Sequence, residues 1–100
     1  MDSAKSVPQF SELINPTLFV LRELGGSGSI TEIVDKIIDH LGLSDEVADL
    51  PHGEGSSTEI AYRGAWARTY LKKYGLLENS ARGVWSLTSL GRETESVDPK

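Results

Sequence analysis

The hydrophobic period of the sequence changes at Gly75. Before this glycine, apolar residues recur every three or four positions, the spacing that places them on one face of an α-helix. After it, residues 76–78 and 84–88 form short runs with the composition of β-strands, and the turn-rich residues 79–83 separate them. The chain is therefore predicted to fold as a set of helices followed by a β-hairpin.

The first helix is expected to begin near Asn15 and Pro16. An N-cap residue followed by proline is typical of a helix N-terminus, and an earlier turn through residues 10–14 is expected to join it. Gly25 and Gly26 then end the leucine pattern of this helix. The first helix is thus predicted over about residues 15–24, with an optional extension before it.

A second helix has the strongest local pattern. Thr31 is predicted as its N-cap and Gly42 as its C-terminal stop. The apolar stripe between them consists of Ile33, Val34, Ile37, Ile38 and Leu41. Residues 27–30, just before the cap, are short and extended, so they are expected to pair as an edge strand.

A third, basic helix follows a mobile connector. Ser44 is predicted to cap one helical turn, which Pro51 limits. Ser56 and Glu59 have the spacing of a capping box, so the basic helix is predicted to start at Ser56 and to run to Tyr74. After the hairpin, Thr88 is expected to cap one closing turn. Residues 1–9 and 94–100 are polar and are predicted as a tail and as the start of a linker, leaving residues 10–93 as the domain.

The net charge of −5 is unevenly distributed. Residues 1–61 carry three basic and eleven acidic side chains, whereas residues 62–92 carry six basic side chains and one acidic side chain, a local charge of +5. An acidic total argues against nucleic-acid binding, but a basic segment of this kind presents positive charge locally. The basic segment coincides with the third helix and the hairpin.

Three helices followed by a hairpin is the arrangement of a winged helix-turn-helix, in which the third helix enters the major groove of DNA. At about 100° per residue, the predicted inner face of that helix consists of Ile60, Ala67, Tyr70, Leu71 and Tyr74. The predicted outer face consists of Ala61, Ala65, Arg68, Thr69 and Lys72. This outer face is small, polar and cationic, as contact with phosphates and base edges requires.

Arg68 is the first candidate DNA ligand, followed by Thr69, Lys72 and Lys73, with Ala65 allowing the groove wall to approach. Arg82 at the hairpin tip is predicted to reach a phosphate or a narrow minor groove. The ordinary alternative for all of them is a solvated surface. Trp85 is predicted to pack between the hairpin and the helices. Trp66, at the border of the two faces, is predicted to join the core, although a methyl-sensing contact from Trp66 or Tyr62 is left open.

Other classes of function find little support in the sequence. The chain has no cysteine, and His40 and His52 are too few for a zinc site without carboxylates, so no metal or cofactor is expected. Residues 25–28 lack the lysine of a P-loop, and no carboxylate–x–Lys nuclease motif lies outside the tail. His40 is explained by a helix dipole, and His52 has no evident partner. No membrane span or signal peptide is evident, so a cytoplasmic location is expected.

Three groups of motifs share a pattern with one known family. They are Asn15-Pro16 leading to Leu24-Gly25-Gly26; Trp66-Ala67-Arg68-Thr69-Tyr70-Leu71-Lys72-Lys73 with Gly75-Leu76-Leu77-Glu78; and Arg82-Gly83-Val84-Trp85 with Leu87-Thr88 and Gly91-Arg92. Over residues 8–93 this pattern resembles the N-terminal domain of Mrr-like restriction endonucleases.

The resemblance implies a winged helix that binds DNA, in a family whose separate C-terminal nuclease domain cuts DNA carrying methylated bases. No nuclease core is evident in this chain, so no catalysis is expected from it. The expected partners are double-stranded DNA and the chain's own C-terminal nuclease domain, with the fragment itself monomeric. Two alternatives stay open: a standalone transcriptional regulator, and a winged helix that docks a protein through its acidic first two helices.

Overall fold

The computed structural model describes residues 7–55 and 57–98. Its helices are α1 (Phe10–Glu23), α2 (Ile30–Leu41), α3 (Asp45–Ala48), α4 (Glu59–Lys73) and α5 (Ser89–Glu93), and its strands are β1 (Ser27–Ser29), β2 (Leu77–Ala81) and β3 (Val84–Leu87). The predicted fold class, mainly helical with a small hairpin, is confirmed. The order of elements is that of a winged helix, with α4 as the third long helix and β2–β3 as the wing.

Helix α1 begins at Phe10, so the earlier turn through residues 10–14 joins it, whereas the N-cap predicted at Asn15 is wrong. The backbone N–H of Gln9 donates to the Glu12 carboxylate at 3.0 Å, which fixes the N-terminus. Pro16 lies inside the helix, where it removes one backbone hydrogen bond. The helix continues through it because buried residues lie on both sides, Leu13 before it and Leu18 after it. Burial of this apolar face outweighs the local preference of proline for a first turn.

Helix α2 begins at Ile30, one residue before the predicted cap. Ser29, not Thr31, is the N-cap: its hydroxyl accepts from the Glu32 N–H at 3.1 Å, and the Ser29 N–H donates to the Glu32 carboxylate at 2.8 Å. These two reciprocal bonds form a capping box. The predicted stop at Gly42 is confirmed, since this residue has a φ of 65° that glycine adopts without strain.

The three strands form one antiparallel sheet in the order β1–β3–β2. The predicted edge strand is confirmed as β1, whose Gly28 lies opposite Trp85 of the central strand. The wing is a longer hairpin than predicted, because β2 extends to Ala81 and leaves the two-residue turn Arg82-Gly83. Gly83 has a φ of 71°, which permits so tight a turn.

The core lies between α1, α2, α4 and the sheet. Its buried side chains are Leu13, Ile14, Leu18, Val20, Leu21, Ile33, Val34, Ile37, Ile60, Ala67, Leu71, Leu76, Leu77 and Leu87. Most of them are aliphatic and come from helix faces at the spacing that the sequence showed. Within residues 7–55 and 57–98, no helix combines the length and apolarity needed to cross a membrane.

The C-terminal segment 94–97 lies against α1. The Asn15 side-chain amide donates to the Val97 carbonyl at 2.9 Å and accepts from the Val97 N–H at 2.7 Å. The Arg22 guanidinium donates to the carbonyls of Thr94 and Glu95 at 3.0 and 3.1 Å. Asn15 therefore holds segment 94–97 rather than capping a helix.

Gly91 allows α5 to approach the start of β2 closely. A Cβ atom at this position would collide with the Leu76 carbonyl oxygen, a backbone atom that cannot rotate away. We expect Gly91→Ala to lower the free energy of unfolding by about 1–3 kcal/mol. Thermal or urea unfolding measures this change. Gly55→Ala is the control, because its Cβ would have no neighbour within 4 Å; equal destabilisation by both variants would contradict the expectation.

Candidate nucleic-acid interface

Side chains stabilise both ends of helix α4. The Thr58 hydroxyl accepts from the Ala61 N–H at 3.3 Å and forms the N-cap, so the helix begins at Glu59. The predicted cap, Ser56, lies outside the described residues. Lys72 and Lys73 occupy the last turn, where positive charge interacts favourably with the helix dipole.

The packing of α4 against α1 determines which side of α4 faces outward. Its buried residues are Ile60, Gly64, Ala67, Arg68 and Leu71. The exposed residues opposite them are Tyr62, Trp66, Thr69 and Lys73, which recur at i, i+4, i+7 and i+11 and define the outer stripe. Ala61 and Ala65 are half-buried at its margin. The outer face is therefore rotated toward the aromatic residues relative to the sequence prediction.

Arg68 does not lie on the exposed surface, and its predicted placement on the outer face is wrong. The side chain is 3% exposed, and its guanidinium carbon lies 5.7 Å from the centre of the Trp85 ring. Burial lowers the pKa of Arg68. A helical wheel assigns charged residues to solvent, but the Trp85 side chain of strand β3 lies against Arg68 on this side of α4.

Lys72 occupies the exposed border between α4 and the wing. Its ammonium donates to the Asn79 side-chain oxygen of β2 at 3.3 Å and lies 5.9 Å from the centre of the Trp85 ring. Trp85 itself is half-buried and packs against the edge of the core, as predicted. The indole ring therefore contacts two cations, one buried and one exposed.

Trp66 is 52% exposed, so its predicted place in the core is wrong. Its ring meets that of Tyr62 edge-on, with centres 6.4 Å apart. Tyr62 stacks on His52 at 3.6 Å with an interplanar angle of 13°. Tyr74, also predicted to face inward, is 56% exposed. The N-terminal half of the outer stripe is thus aromatic, whereas its C-terminal half is polar and cationic.

A hydrogen-bond network fixes the orientation of this aromatic pair. His52 Nδ1 lies 2.7 Å from one Glu59 oxygen, and Arg63 Nε donates to the other at 2.6 Å. Arg63 also donates to the Val7 carbonyl at 2.8 Å. The bonds from His52 and then Arg63 lower the pKa of Glu59. His52, which has no evident partner in the sequence, therefore ties its loop to α4.

The network also borders a cleft of about 300 Å³. The cleft is lined by Gln9, Phe10, Glu59, Tyr62, Arg63 and Trp66. Sequence reasoning missed this group, because Phe10 and His52 are distant from α4 along the chain. The small residues Gly64 and Ala67 are the one signal that could have located the inner face of α4, and with it the exposed aromatic residues opposite.

The remaining predicted site residues lie at the surface. Thr69, Lys73 and Arg82 are exposed, the last in the wing turn. The fold therefore keeps Tyr62, Ala65, Thr69, Lys72 and Lys73 along the accessible side of α4, with Arg82 on the adjoining hairpin. His40 stacks on Phe19 at 4.4 Å, away from this surface. Among the described residues, no three histidine or carboxylate side chains come together as a metal site would require.

The Glu59 network predicts a pH-dependent contribution to stability. The Glu59 pKa is lowered from 4.5, so folding favours the carboxylate; its contribution is complete at neutral pH and is lost as the pH falls below 4.5 through the lowered pKa. We expect Glu59→Gln to lower the melting temperature at neutral pH and to match the unmodified protein in acid. Glu54→Gln, in an exposed loop, is the control. A difference that persists in acid would contradict this role.

Comparison with known proteins agrees with the fold and the motifs. The Mrr N-terminal domain family matches residues 10–96. The chain is also similar to the type IV methyl-directed restriction enzyme EcoKMrr of Escherichia coli (strain K12), at 28% identity over 97 residues. That alignment covers 95% of this chain and 31% of the relative, so the chain spans about a third of the relative's length. No solved structure matches significantly. The chain belongs to the Mrr N-terminal domain family.

Proposed function

We propose that this chain is the DNA-recognition domain of a restriction enzyme directed at modified DNA. The observation that supports the proposal most directly is the coincidence of charge and shape. Residues 62–92 have a net charge of +5 and include most of α4, the wing and most of α5. Helix α4 and the wing are the two elements that a winged helix presents to a duplex. Of the cations in these elements, Lys72, Lys73 and Arg82 are exposed.

The outer stripe suggests that the two halves of α4 contact different parts of the DNA. Recognition helices of this class commonly contact base edges through their N-terminal half, where Tyr62 and Trp66 lie. Thr69, Lys72 and Lys73 follow in the C-terminal half, with Arg82 beside them on the wing. Hydroxyls and long cations are suited to phosphates, which supply most of the affinity of DNA-binding proteins.

Cleavage is assigned to a part of the enzyme outside this chain. The relative is about three times longer and is a restriction enzyme, so a nuclease domain is expected beyond the recognition domain. Segment 94–97, held on α1, is then the start of the connection between the two. We expect this chain alone to leave methylated DNA uncut in the presence of Mg²⁺.

A second candidate function, the docking of a protein, is favoured by a cleft beside α2 that is lined by acidic side chains. A cavity of about 720 Å³ borders α2 and is lined by Leu24, Glu32, Asp35, Lys36, Ile38, Asp39, Gly42, Leu43 and Asp45. Apolar side chains rimmed by carboxylates would suit a basic partner surface, such as that of the enzyme's own nuclease domain. Such a cleft is compatible with DNA binding by α4.

The DNA-binding proposal predicts a steep dependence of affinity on salt. Binding of a duplex by anisotropy at several salt concentrations gives the slope of log K against log[salt]. We expect Lys72→Ala, Lys73→Ala and Arg82→Ala each to weaken binding and to reduce the slope by about 0.9, the value for one phosphate contact. Lys36→Ala on α2 is the matched control. Binding that is independent of salt, or unchanged in all three variants, would rule out the proposed surface.

The exposed aromatic pair predicts sensitivity to methyl groups in the major groove. The C5 methyl of a pyrimidine is the apolar group displayed there, and an exposed ring gains contact area from it. We expect tighter binding to a duplex with 5-methylcytosine than to the same duplex with cytosine, and loss of this preference in Trp66→Ala. Tyr74→Ala, an exposed ring off the outer stripe, is the control. Equal affinity for both duplexes would exclude methyl reading by this domain.

A further inference from the structure

Arg68 is the one charged side chain that is buried among residues 7–55 and 57–98, at 3% exposure. Its Nε and Nη1 atoms are inaccessible and lack a hydrogen-bond partner there. The ion pairs formed within that part of the chain, His52–Glu59 and Arg63–Glu59, do not include it. The guanidinium therefore carries its charge into the protein without an anion to balance it.

A buried guanidinium without a partner lowers the free energy of unfolding. Transfer of a charge out of water is costly when no counter-ion or hydrogen bond replaces the lost hydration. The contact with the Trp85 ring compensates in part, because one cation–π contact is weaker than the hydration of an ion. The lowered pKa of Arg68 has desolvation as its cause, with no neighbouring carboxylate to oppose it.

Packing alone does not explain a guanidinium at this position. The side chain lies over Gly64, whose added Cβ would be 3.6 Å from Nη1, and beneath the indole of Trp85. An unbranched apolar side chain such as methionine fills a space of this shape without a desolvation cost. A residue that is costly in the free protein is often one that functions in a bound state.

The location of Arg68 indicates which kind of ligand would pair with its guanidinium. Arg68 precedes Lys72 by one helical turn, and both cations lie over the same indole ring, although Arg68 is buried and Lys72 is exposed. An anion that reaches Lys72 at the border of α4 and the wing therefore comes close to Arg68 and to the ring that contacts both cations. Guanidinium groups bind phosphate oxygens in pairs of parallel hydrogen bonds, and one such pair would satisfy one of the two donors that are unpaired in the free domain.

We propose that Arg68 is a latent phosphate ligand, covered by Trp85 in the free domain and paired with a phosphate of the DNA backbone when the ring moves aside. The inference rests on the proposed DNA-binding function. This role differs from that of an exposed cation, because Arg68 can bind a phosphate only if the Trp85 ring moves at the junction of α4 and the wing. Arg68 would thus link the position of the wing to the presence of a duplex.

The test uses a variant of Arg68 that keeps the volume of the side chain and removes its charge. We expect Arg68→Met to raise the melting temperature of the free domain, by about 4 °C or more, because the desolvation cost is removed. The same variant should bind duplex DNA more weakly and show a salt slope smaller by about 0.9. Lys72→Met is the matched control: an exposed cation over the same ring, it should reduce the slope without raising the melting temperature.

The outcomes separate this inference from the function on which it rests. If the unmodified domain shows no salt-dependent binding, the proposed function fails. If that binding is present but Arg68→Met leaves the slope unchanged, or lowers the melting temperature, Arg68 is a structural residue and the inference is overturned. A second measurement uses the domain labelled with 5-fluorotryptophan, with the two resonances assigned through Trp66→Phe. Duplex DNA should shift the ¹⁹F signal of Trp85, and an unmoved signal would also overturn the inference.

Discussion

The packing of α1 against α4 is the contact on which the rest of the structure depends. Leu13, Leu18 and Leu21 of α1 meet Ala67 and Leu71 of α4 in the core, all fully buried. A small residue at the contact lets two helices approach closely, and a close-packed contact permits one rotation of each helix about its axis. This rotation directs some side chains of α4 outward and others beneath the wing.

The wing completes the surface that this packing begins. Strand β3 is the central strand of the sheet, so its position is fixed on both sides by β1 and β2. Trp85 on this strand lies against both Arg68, which is buried, and Lys72, which is exposed. The same fold therefore creates an aromatic, pre-oriented region at the start of α4 and a cationic region at its end. In winged helices that bind DNA, these are the regions that face base edges and phosphates.

Local patterns were sufficient for several elements whose determining interaction is local, although the N-cap in the Ser29–Glu32 capping box of α2 was predicted two residues too late. The period of apolar residues located α2 and α4, and the caps at Gly42, Ser44 and Thr88 depend on bonds within a few residues. They were insufficient at Pro16, where burial on both sides carries the helix through a proline. They also failed for Trp66 and Arg68, because the direction of a side chain on a helix depends on what packs against that helix.

The sequence by itself determined the fold class, the order of the elements, the family and the concentration of positive charge in residues 62–92. The apolar period, the capping residues and the charges can all be read from residues that are close together along the chain. The tertiary structure alone decided which of those charges reach solvent. Arg68 and Lys72 are one helical turn apart, are chemically similar and contact the same indole ring of β3, yet the fold buries the first and leaves the second exposed. No local pattern encodes that difference, because it arises from the contact between α4 and the wing.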